Sequence, residues 1–85
     1  MIKPTIHLNG SSRESLTEKY LNAASALREA LIQLEAAEPN ARDYYVQDSY
    51  TFAIAQAEHS ARLKVVRMAL AEIEALAEHC ANGGD

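Results

Sequence analysis

Glycine, proline, cysteine and tryptophan are nearly missing from this 85-residue chain, which has three, two, one and none of them. So little glycine leaves no glycine-rich phosphate loop. The lone Cys80 excludes an internal disulfide and points to a reducing compartment. Aromatic residues make up only 6%, too few for a large aromatic core. No apolar stretch approaches the ~20 residues of a membrane span. Met1-Ile2-Lys3-Pro4 leads into no apolar run, so no signal peptide is expected and the expected location is the cytoplasm. Eight basic residues against twelve acidic ones give a net charge of −4. That balance argues against general nucleic-acid binding, which needs a basic face to displace counterions. It leaves room for a local basic pocket that takes a small anion.

Metal and catalytic patterns are also missing. His7, His59 and His79 are dispersed, and the adjacent His79 and Cys80 point to different helix faces. There is no His-x3-His, Cys-x2-Cys or Glu-x2-His spacing, so no metal site and no cofactor are expected. No serine or cysteine stands beside a recognisable base, and the expectation is a protein that is not an enzyme.

What the chain does have is two long alanine- and leucine-rich segments. Residues 1–10 read as an extended arm, with helix discouraged by Pro4 and a turn favoured at Asn9-Gly10. Thr5-Ile6-His7-Leu8 alternates polar and apolar, but a lone short strand is unstable, so the arm must lie on a helix or pair with another chain. Residues 11–81 read as a helical hairpin, with helices over about 12–37 and 49–80, a connector over 38–48, and a frayed end at 82–85. Ser11 with Glu14 fits a capping box, and Pro39 stops the first helix. Asp48 or Ser49 caps the second, and Asn82-Gly83-Gly84 supplies a left-handed C-terminal cap.

The first helix carries a heptad-like seam of Leu16, Tyr20, Ala23, Leu27, Ala30 and Leu34, with Leu21, Leu31 and Ile32 beside it. The second reads Phe52, Ala55, His59, Arg62, Val66, Ala69, Ile73, Leu76 and Cys80, with Leu63 and Leu70 as a second stripe. Helices of roughly 40 and 48 Å joined by so short a connector are expected to fold back antiparallel. One internal interface leaves apolar stripes over. The expected fold class is therefore all-α: an antiparallel two-helix hairpin with an extended arm, assembling into a homo-oligomeric bundle.

Three groups of residues are candidates for binding. Arg42, Tyr44, Tyr45 and Tyr50 lie in or near the connector, where arginine can clamp phosphate and tyrosine can stack on a base. Alternatively the connector is a rigid corner, with one tyrosine packed under the helix ends and Arg42 solvated. Two adjacent tyrosines cannot both be buried easily by one surface, so at least one is expected to point outward. His59 and Arg62 occupy seam positions where aliphatic residues are expected. They either line a polar pocket or serve as a satisfied interface histidine and a snorkelling arginine. Asn9, Gly10, Ser11, Ser12 and Arg13 gather amides, hydroxyls and a guanidinium at a helix N-terminus, which suits an anion, although ordinary helix capping also accounts for the serines. The first and third groups lie at opposite ends of the hairpin, so only a site between subunits would unite them.

His7-Leu8-Asn9-Gly10-Ser11-Ser12 and, one helix later, Pro39-Asn40-Ala41-Arg42-Asp43-Tyr44-Tyr45 resemble small uncharacterised proteins encoded by tailed phages and prophages. The likeness runs over most of the chain in motif order, with Val46 where the family pattern has proline. It carries no established catalytic or binding residues. It implies a phage counter-defence "sponge" in the infected bacterial host: a homo-oligomer that sequesters, without cleaving, a nucleotide-derived immune signal such as a cyclic oligonucleotide or an ADP-ribose derivative. The alternative is a structural or adaptor protein that binds a host or virion protein through its exposed apolar stripe.

Overall fold

The computed structural model describes residues 1–84. The described residues form two long helices in a hairpin-like packing and no strand: α1 (Arg13–Ala36), a one-turn 3-10 helix (Ala41–Asp43) and α2 (Thr51–Ala81). Cross-helix contacts join the second half of α1 to α2. Arg28 meets Glu74 at 3.1 Å, Glu35 meets Arg67 at 3.4 Å, and His59 reaches the Leu34 carbonyl.

Each helix end differs slightly from the sequence expectation. Ser12, not Ser11, caps α1, accepting a hydrogen bond from the Ser15 amide at 3.1 Å. This one-residue shift puts Glu14 too early to reach back to the cap amide, and it pairs with Arg13 instead. Neither Asp48 nor Ser49 caps α2. Its N-cap is Tyr50, already helical in backbone angle and without a side-chain cap bond. Asp48 acts earlier, its carboxylate accepting from the Tyr50 amide and its carbonyl from that of Thr51.

α2 ends in the expected glycine cap. Gly84 N donates to His79 O and Gly83 N to Cys80 O, the paired bonds of a Schellman motif, with φ of 104° at Gly83 and 75° at Gly84. The arm lies against this end. Pro4 O accepts a 2.7 Å hydrogen bond from His79 Nε2, and Ile6 sits so close to Gly84 that a Cβ there would lie 2.7 Å from Ile6 Cγ1. Asp85 lies outside the described residues.

The interface is thin. Its buried side chains are Leu16, Ala24, His59, Ala77 and Cys80. In α1 the contact line passes through Ala24 and Leu31, whereas Ala30 is exposed. In α2 it passes through Leu63, Leu70 and Ala77. Leu63 and Leu70 thus belong to the internal interface and are not a spare stripe, and Arg62 lies outside it. The apolar side chains left exposed are instead Leu21 and Ile32 on α1 and Ile54, Val65 and Met68 on α2. The radius of gyration is 18.5 Å. A compact domain of this length would have about 12 Å.

Two variants probe this packing. Ala77→Leu inserts bulk where the helices approach closely and is expected to lower stability by about 1–3 kcal/mol in urea unfolding. Gly84→Ala places a Cβ on Ile6 at a positive φ. It should release the arm, seen as faster hydrogen exchange in residues 1–8 with the helices unchanged.

Candidate functional site

The connector is a chain of small turns. The Asn40 side chain accepts from Arg42 N at 3.0 Å, and its carbonyl accepts from Asp43 N, which closes the 3-10 turn. Tyr44 N then bonds Ala41 O, Gln47 N bonds Tyr44 O, and the Asp48 turn leads into α2. Pro39, fixed in φ and unable to donate, starts the series. The result is a corner with its backbone tied at most steps.

This corner separates the tyrosines. Tyr44 is half-buried against Phe52, with ring centroids 5.9 Å apart and planes tilted by 43°. Tyr45 and Tyr50 are 81% and 74% exposed, and Arg42, three residues before Tyr45, is exposed too. Tyr44 therefore acts as the wedge under the helix end, and its neighbours present their rings to solvent. An arginine with two free aromatic faces suits a ligand that combines negative charge with a flat ring.

His59 and Arg62 part company. His59 is 6% exposed, and its Nε2 lies 2.6 Å from Leu34 O. Leu34 O lies in the last turn of α1 and also accepts from the Ala37 amide at 3.1 Å. The last turn of α1 holds no basic residue, and its C-cap is Ala37. His59 thus caps α1 from the other helix, as an N–H donor. Arg62, three residues on, is exposed and makes no ion pair among the described residues.

The third candidate group lies at the far end of α1, about 36 Å away along 24 residues of helix. Gly10 N bonds His7 O in the expected turn, the Ser12 hydroxyl is taken by its cap bond, and Asn9 and Ser11 are exposed. Arg13 borders an open cavity of about 490 Å3 with Thr17, Leu21 and Asn22. Thr17 Oγ1 is buried without a hydrogen-bond partner in its wall. A second cavity of about 320 Å3 is formed where the arm meets α2, by Lys3, Ala75, Glu78, His79 and Asn82. Sequence reading passed over Lys3, His79 and Asn82, because only the docking of the arm brings them together. Among the described residues, no three His, Cys, Asp or Glu side chains converge as a metal site would require. No helix of the described residues is long and apolar enough to cross a membrane.

No protein family, curated protein or solved structure matches the chain.

The different surroundings of the two seam residues set opposite expectations. His59→Leu removes the cross-helix hydrogen bond, while Leu34 O keeps its bond from the Ala37 amide, and should cost about 0.5–1.5 kcal/mol. Arg62→Ala should change monomer stability by no more than about 0.5 kcal/mol. Equilibrium unfolding of both variants checks the contrast.

Proposed function

We propose that this chain is a non-catalytic binding protein whose antiparallel hairpins self-associate and sequester a nucleotide-derived signalling molecule. The observation that carries this reading is the corner, where Arg42, Tyr45 and Tyr50 are all exposed on one connector tied by successive turns. Solvent-facing aromatic rings carry no weight in the fold, whereas they supply stacking surfaces for bases. The guanidinium adds a bidentate partner for phosphate. Thin internal packing supports self-association, because so small a core is commonly completed by a second subunit. The resemblance to small phage proteins extends the proposal to a counter-defence sponge acting in the cytoplasm of an infected bacterium. Its ligands would be cyclic oligonucleotides or ADP-ribose derivatives.

A second reading, an adaptor for a host or virion protein, is favoured by the exposed Ile54, Val65 and Met68. The two differ in what the corner does. Calorimetry and thermal-shift measurements against a panel of cyclic oligonucleotides and ADP-ribose derivatives, followed by recovery of the ligand after denaturation, separate them. Sequestration requires binding and intact release. Arg42→Ala and Tyr45→Ala should each weaken binding by roughly tenfold or more, in line with ~1–3 kcal/mol per stacked base. Altered ligand would indicate an enzyme, and no binding across the panel would favour the adaptor.

A further inference from the structure

The surface left uncovered on α2 is self-complementary. Ile54, Ala61 and Met68 follow one another at seven-residue intervals and therefore share a face, with Val65 beside them. Ile54, Val65 and Met68 are 58%, 67% and 59% exposed. Glu58 and Arg62 stand together along one edge of this stripe, and neither makes an ion pair within the chain among the described residues. The apolar pair on α1 has a different setting. Leu21 and Ile32 flank Arg28 and Glu35, whose charges are already matched by Glu74 and Arg67.

Set two copies of α2 face to face in opposite directions, with the two-fold axis at Ala61. Ile54, seven residues before the axis, then meets Met68, seven after it, in the second copy. Ala61 meets Ala61, whose small side chain permits close approach. In such a pairing each edge of the stripe adjoins the same edge of its mate. Glu58 then lies within two residues of height, about 3 Å of helical rise, of Arg62 in the second copy. The arrangement produces two intermolecular ion pairs from charges left unmatched in the single chain.

The exposed area has the size such a contact requires. The chain exposes 6235 Å2 of accessible surface. A folded monomer of 9.3 kDa would expose about 5,000 Å2. The excess of about 1,200 Å2 is enough for a standard interface, which covers about 800 Å2 per partner.

We propose that the Ile54–Ala61–Met68 face of α2 docks a second copy of this chain about a two-fold axis at Ala61, with Glu58 of each copy paired to Arg62 of the other. This inference rests on the self-association in the preceding reading.

Sedimentation and light scattering across micromolar concentrations test it in the full chain, with circular dichroism to confirm that each variant stays helical. Met68→Glu, Glu58→Arg and Arg62→Glu should each weaken the dimer by roughly tenfold or more. The double exchange Glu58→Arg with Arg62→Glu should restore it, while Ile32→Glu on α1 leaves it unchanged. Ala61→Cys should give a disulfide-linked dimer under mild oxidation, and Ser25→Cys on α1 should not. A dimer indifferent to Met68→Glu, or a double exchange without rescue, overturns the assignment of this face while leaving self-association standing. A wild-type chain that sediments as a monomer overturns both.

Discussion

The hydrogen bond from His59 Nε2 to Leu34 O sets the terms for the rest of the molecule. α1 ends without glycine, without a basic residue in its last turn and one step before a glutamate-proline pair, so the local donors to its last carbonyls are the Ala37 and Glu38 amides alone. A side chain from α2 adds a donor from outside the helix. The bond ties the end of α1 to α2 and fixes how α2 leaves the corner, which in turn decides where Tyr44 wedges and where Tyr45 and Tyr50 emerge. At the other end His79 does a similar task for the arm by binding the Pro4 carbonyl. Two imidazoles, each engaged with a distant backbone carbonyl, thus secure both ends of an otherwise lightly packed hairpin.

Light packing follows from alanine. Ala24 and Ala77 let the helices approach closely, but they bury little apolar area in doing so. The cross-helix ion pairs Arg28–Glu74 and Arg67–Glu35 are half exposed and contribute at most about 1 kcal/mol each. Neither term makes a generous core for a chain of this size. The proposed self-association would supply the buried area that this light packing lacks.

Function and assembly draw on two separate surfaces of the hairpin. The corner that leads into α2 offers the exposed Arg42, Tyr45 and Tyr50. The exposed stripe of α2, with Glu58 and Arg62 along its edge, is the face proposed for a second copy. Ligand capture and self-association therefore rest on different side chains, and a change in one leaves the other free to be measured.

Much of this was written in the sequence. Alternating intervals of three and four determined that there are two helices and about where they run, because burying one face of a helix demands that spacing. Pro39 and the Gly83-Gly84 pair determined where they stop, through a missing donor and a positive φ. The adjacency of Tyr44 and Tyr45 determined that the corner presents at least one ring outward. The tertiary structure decided what local pattern leaves degenerate. With alanine on several neighbouring lines, the sequence cannot choose between Arg62 and Leu63 as the contact position, and only the actual packing puts Leu63 inside and Arg62 outside. It also decided that His59 caps a helix 25 residues away and that Ile6 and His79 hold the arm, since contacts between distant segments have no signature in local spacing.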